Sequence, residues 1–154
     1  VEECGKSENP WLQDAVLLSV VTALRQGELL AAEWKDVHLE ARHIMLPLTK
    51  NGEARRVPLS SDAIKILESL PRSPDGRVIP QEKMTLYGAF KRALKRAGID
   101  DYTWHDIRHE AMSRFGERGD LSMLELAMIS GHKTLQMVKE YAHFHVEELA
   151  KKIG

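Results

Sequence analysis

Arg25, Lys50, His105, Arg108, His132 and Tyr141 are the residues of this chain whose types and order could do chemistry together. The problem they suit is attack on a phosphodiester without a metal. Such a substrate is already anionic, and its transition state spreads more charge over the phosphoryl oxygens. Guanidinium groups are always charged and donate in a planar fork, so Arg25 and Arg108 suit the two non-bridging oxygens. Losing one donor of this kind typically costs about two to three powers of ten in rate. Tyr141 supplies a nucleophile, but a phenol with an ordinary pKa of about 10 needs a base or a cationic surround. His105 stands one helical turn before Arg108, on the same face, and is placed to take that proton. His132 follows Gly131 and can donate to the phosphate. Lys50, beside Asn51-Gly52, is the candidate acid for the leaving oxygen.

Taken one at a time, each residue has a plainer structural reading, and that reading is the stronger. Arg25 can pair with Glu28, which orients it rather than acting as an acid. His105 can extend a helix cap, and Lys50 can simply be solvated beside its turn. Tyr141 can be a core residue. His143 and His145 read as surface or packing residues. The functional case rests on the whole set in order.

The chain has 154 residues, enough for one domain with its own core. Hydrophobic residues make up 43% and charged residues 29%, ordinary for a globular protein. No apolar run approaches the roughly 20 residues of a membrane span, and the acidic start Val1-Glu2-Glu3-Cys4 does not read as a signal peptide. The lone Cys4 has no partner for an internal disulfide, which fits a reducing cytoplasm. The net charge of −1 argues mildly against nucleic acid. Local basic stretches at Arg55-Arg56, Lys91-Arg92 and Lys95-Arg96 argue the other way.

The elements expected to position these residues are mostly helices. Asn9-Pro10 starts a buried helix over Trp11–Ala23 that ends near Arg25. Gly27 allows a bend before a short helix over Glu28–Trp34, so Arg25 emerges between two packed helices. Period-two alternation through Ile44, Leu46 and Leu48, the Asn51-Gly52 turn, and Arg55, Val57 and Leu59 predict a hairpin. With Val37–Leu39 it makes a small three-stranded antiparallel sheet. Ser61 caps a helix to about Leu70, and Lys83–Ala97 forms an amphipathic helix stopped by Gly98. Thr103 caps the helix of His105 and Arg108, with Arg108 at the margin of its apolar stripe, hence half buried and in need of an anionic partner. Leu121–Ile129 is an apolar helix stopped by Gly131. Thr134 caps a last core helix in which Leu135, Val138 and Ala142 face inward. Val146–Ile153 is a short amphipathic tail.

The ordered set resembles the tyrosine recombinases, or phage-type integrases. Thr22-Ala23-Leu24-Arg25-Gln26-Gly27-Glu28-Leu29 is similar to that family's first arginine box, and His105-Asp106-Ile107-Arg108-His109 to its His-x-x-Arg box. Gly131-His132-Lys133-Thr134 and Tyr141-Ala142-His143 resemble its histidine and nucleophile boxes, and Thr49-Lys50-Asn51-Gly52 its hairpin lysine. The resemblance runs from Trp11 to about Ile153. Ala23 stands where the family usually has glycine, Glu110 where a small hydroxyl residue is common, and Met137 where threonine is common.

The resemblance implies an α+β, mainly α-helical catalytic domain over residues 1–154, with a small three-stranded antiparallel sheet on one side and a tail helix over 146–154. Tyr141 would attack a DNA phosphate, leaving a 3′-phosphotyrosyl bond and a free 5′-hydroxyl. Arg25, Arg108 and His132 would hold the phosphate, with His105 as base and Lys50 as acid. No metal, ATP or other cofactor is implied. The partners implied are double-stranded DNA and further copies in a tetramer, with no membrane, in a bacterial or phage-encoded protein acting at the nucleoid. An N-terminal helical domain that clamps the other DNA face is expected outside the chain, and the isolated domain is expected to be monomeric. Two other readings stay open: a DNA-binding module that has lost catalysis, and a metal-dependent hydrolase using His105 and His109, four apart on a helix.

Overall fold

The computed structural model describes residues 1–47, 54–141 and 146–154, except the side chains of Tyr141, Val146, Glu148 and Leu149. Lys50 with its Asn51-Gly52 turn, and Ala142, His143 and His145, lie outside the described residues. Helix α1 (Glu2–Gly5) is followed by α2 (Leu12–Thr22), the spine of the domain, which packs against α1, α3 (Gln26–Ala31), α4 (Ser61–Ser69), α5 (Lys83–Arg96) and α6 (Trp104–Glu117). Asn9 Oδ1 accepts the Trp11 N–H at 3.0 Å, so the helix opens at Leu12. Leu12, Ala15 and Leu18 are fully buried, and Ser19 and Thr22 return their hydroxyls to the carbonyls of Ala15 and Leu18. A helix apolar on most sides can hide polar groups only in this way.

Strands β1 (Val37–His38), β2 (His43–Leu46) and β3 (Arg55–Pro58) form an antiparallel sheet in that order, with Val37 opposite Ile44 and Ile44 opposite Val57. Ile44, Leu46 and Val57 point into the core, as the period-two pattern requires. The mainly helical fold with a small three-stranded sheet therefore agrees with the sequence pattern.

The differences are local. Gly27 is not a bend: it lies inside α3, and the chain turns at Ala23, whose φ of 55° is left-handed, and at Arg25, the extended N-cap of α3. That helix stops at Ala31, and Trp34–Asp36 forms a separate 3-10 turn. Ser60, not Ser61, caps α4, its Oγ accepting the Ala63 N–H at 3.2 Å. The expected last core helix is instead two 3-10 turns, Leu135–Met137 and Lys139–Tyr141. Among the described side chains of this segment Val138 is fully buried while Leu135 and Met137 are about half exposed, so these give one buried anchor rather than an apolar stripe. A single anchor holds a turn but does not select a continuous helix. Helix α7 (Met123–Ser130) ends at left-handed Gly131, and α8 (Val146–Ile153) is the tail helix.

The core has two parts. The larger surrounds α2 and reaches from Leu12 to Leu86, Phe90 and Trp104. The smaller joins Ala23, Ala111, Met112, Leu126, Ala127 and Val138, drawing the end of α2, helices α6 and α7, and the turn before Tyr141 into one unit.

Candidate active site

Arg108 is buried, only 3% exposed, and not half buried as its place on the helix stripe implies. The ends of α2 and α7 close over it. Its Nη1 donates to Ala23 O and its Nη2 to Ser130 O, both at 2.6 Å. These carbonyls lie at the C-terminal ends of two helices, where backbone dipoles concentrate negative potential. The buried cation is thus held by backbone carbonyls. Glu110, which the sequence puts close to Arg108, is exposed and pairs with Arg114 at 2.8 Å, one turn further along.

Arg25 leaves the turn between α2 and α3. Its backbone N–H donates to Glu28 Oε2 at 2.9 Å and its Nη1 to Glu28 Oε1 at 3.0 Å. Glu28 thus orients Arg25, as expected. Burial opposes the Glu28 charge, but Arg55 and Arg25 outweigh it and hold the carboxyl below its ordinary pKa. The partner of Glu28 that sequence reading missed is Arg55, whose Nη2 lies 2.8 Å from Oε2. Nothing local in Arg55-Arg56 distinguishes it from a solvated strand residue, because its partners come from residues 28 and 129.

Two cavities meet at Arg25. The smaller, about 120 Å³, is lined by Leu24, Arg25, Gln26, Trp104, His105 and Arg108, with no carboxylate. Gln26 Nε2 and Trp104 Nε1 are buried without a hydrogen-bond partner among the described residues, so its lining is rich in donors. The larger, an open cleft of about 630 Å³, includes Arg25, Arg55, Arg56, His132 and Lys133. Basic groups therefore gather at this face although the net charge is −1. A local cluster of this kind, rather than the average charge, governs attraction of a polyanion.

His132 follows the Gly131 turn, its N–H on Ser130 Oγ at 3.3 Å. Burial, then the nearby Arg108 and Arg25 charges, lower its pKa, and its Nδ1 is buried without a partner among the described residues. His105 is exposed at the start of α6, in T-shaped contact with His109 at 4.8 Å between ring centroids. Burial of part of the ring, then His109, Arg108 and Arg25, lower its pKa too. No third His, Cys, Asp or Glu joins this pair into a metal-ligand group among the described residues. The turn Lys139–Tyr141 packs on α6, and Glu140 is close enough to influence His132. The structure thus gathers Arg25, His105, Arg108 and His132, and brings the Tyr141 backbone to the helix that carries two of them. Lys50 and the Tyr141 side chain lie outside the described residues.

These shifts fix a pH dependence. A histidine whose folded pKa lies below its ordinary 6.5 binds fewer protons folded than unfolded, so folding weakens as pH falls through that region. Glu28, lowered from 4.5, contributes stability present above that value and lost as pH falls through its folded pKa. The urea midpoint should therefore fall in two stages on acidification, one starting near pH 6.5 and one near 4.5. His132→Gln should shrink the first stage. A midpoint constant from pH 8 to about 5 would contradict the neutral histidines.

The family model described as "Phage integrase family" matches residues 1–148. A shufflon-specific DNA recombinase of Escherichia coli is 42% identical over 136 residues, covering 88% of this chain and 35% of that protein. The catalytic domain of bacteriophage HP1 integrase superposes with a TM-score of 0.80 at 29% identity, covering 97% of this chain and 86% of that one. A lambda integrase dimer bound to a core site superposes with a TM-score of 0.73 at 23% identity, covering 91% and 54%. The chain spans less than half the length of the curated relatives it matches.

Proposed function

The chain belongs to the phage integrase family, and from that premise we propose that it is a catalytic domain that cuts and rejoins DNA strands through a 3′-phosphotyrosine. The observation that carries this reading is the carboxylate-free cavity lined by Arg25, His105 and Arg108, with His132 within electrostatic reach of both arginines. Arg25, Arg108 and His132 hold the non-bridging oxygens of the scissile phosphate. His105, neutral at neutral pH, accepts the Tyr141 proton as the phenolic oxygen attacks phosphorus. The bond to the 5′ oxygen breaks and Lys50 protonates that oxygen. The reverse attack by a 5′-hydroxyl restores the diester, so no energy source is consumed and the role of the guanidinium groups is electrostatic.

Double-stranded DNA is the substrate, and the basic cleft around Arg25, Arg56 and Lys133 is the surface that receives it, with Arg55 turned to Glu28 and Ile129 O. Assembly as a tetramer on two duplexes fits the tail: α8 is amphipathic, and Leu124 and Met128, at 64% and 66% exposure, offer apolar surface beside the cleft. Residues 146–154 would then pack on a neighbouring copy. The decisive experiment is incubation with a nicked duplex that loses its 5′-hydroxyl fragment after cleavage. A covalent protein–DNA adduct should form in the presence of a strong chelator and map by mass spectrometry to Tyr141. DNA binding without adduct on any nicked duplex of a matched target would favour the catalytically silent module instead.

A further inference from the structure

We propose that Arg55 is a positioning residue, setting the separation of Arg25 and His132 by tying the start of α3 to the end of α7. This rests on the reading of the site as a phosphate clamp. The Arg55 side chain is 18% exposed and Glu28 11%, so the pair is largely withdrawn from solvent. One fork of Arg55 donates to Glu28 Oε2 at 2.8 Å, and the other to Ile129 O at 2.8 Å. Glu28 Oε2 is also the acceptor of the Arg25 N–H. Ile129 lies three residues before His132. A single planar group on β3 therefore spans from the Arg25 cap to the His132 turn, and planarity fixes the angle between its two bonds.

The fit at the turn is close. Gly131 has a left-handed φ of 71°, and a Cβ there would come within 2.5 Å of Arg55 Nε. Glycine is thus needed twice, for backbone conformation and for the approach of the guanidinium. Arg55 is also the first residue of β3, so the same arginine ties the start of that strand to the phosphate-holding groups. Small displacements of positioned groups carry large rate penalties, roughly 100-fold for about 1 Å.

The test compares Arg55→Met and Arg55→Lys with the parent chain. In Arg55→Met the Arg25 amide should exchange with solvent about tenfold faster, relative to amides of α2 and α5, because Glu28 Oε2 loses its anchor. The rate of adduct formation should fall about 100-fold while DNA affinity changes less than about threefold. Arg55→Lys should recover part of the rate, since an ammonium keeps the Glu28 pair but cannot bond Ile129 O in the same geometry. With Glu28 less anchored, the acid limb of the rate profile should also move to higher pH. An unchanged Arg25 exchange rate overturns the proposal, and so does a parallel fall in affinity and rate, which would make Arg55 a DNA contact. The exchange measurement needs no catalysis. Failure of the parent chain to form an adduct would therefore strike the proposed function and leave this positioning role to be decided by exchange.

Discussion

Tyr141→Phe is expected to abolish the covalent DNA adduct, a fall on the order of 10⁴–10⁶ in cleavage rate to the uncatalysed background. The substitution removes one oxygen and keeps the ring, so packing of the Lys139–Tyr141 turn on α6 should survive. Thermal midpoint and DNA affinity should both stay close to those of the parent chain. That separation makes the experiment informative, because a variant that binds and folds but forms no bond locates the lost function in the hydroxyl. An adduct persisting in Tyr141→Phe would move the nucleophile elsewhere, with Tyr87 and Tyr102 the only other phenols in the chain.

Arg108 carries the second large prediction, on two readouts. Truncation to alanine leaves the carbonyls of Ala23 and Ser130 without their donors in a buried place. Each such loss costs roughly 1–3 kcal/mol, partly offset because a buried charge also disappears. Arg108→Ala should thus lose about 2–4 kcal/mol of stability and about 10³-fold in single-turnover cleavage. Arg108→Lys should lose less stability, about 1–2 kcal/mol, yet about 10²-fold in rate, since lysine supplies charge without the fork. Urea denaturation and single-turnover adduct formation measure both. Stability of Arg108→Ala within about 0.5 kcal/mol of the parent would show that the two carbonyls are not braced by this side chain. Normal cleavage would remove Arg108 from the phosphate clamp.

What the sequence made legible was whatever local pattern specifies. The alternation through Ile44 and Leu46 placed the sheet, Thr103 placed the start of α6, and Gly131 placed the end of α7. Arg25, His105, Arg108 and His132 were legible as a set because their order along the chain is diagnostic even where each alone is not. Features made by tertiary closure were hidden. Helix periodicity puts Arg108 at a stripe margin, and only the arrival of the ends of α2 and α7 buries it. Arg55 reads as one of two adjacent basic strand residues, and its partners are 27 and 74 positions away. The segment before Tyr141 has helix-like spacing, but it forms two turns, and among its described side chains Val138 is the one that is buried.

The bracing of two helix ends by Arg108 bears on how descendants of such a domain would decay. A copy released from selection for strand cleavage still has to fold, and its fold still needs a donor between Ala23 O and Ser130 O. Arginine at this position should therefore outlast the proposed activity, persisting in relics that no longer cut anything. The phenol of Tyr141 has no such second duty if Tyr141→Phe proves as stable as expected, and should be among the first groups to drift. Loss of the tyrosine beside a retained arginine would then mark a retired enzyme, and the arginine alone would say little about whether a copy still works.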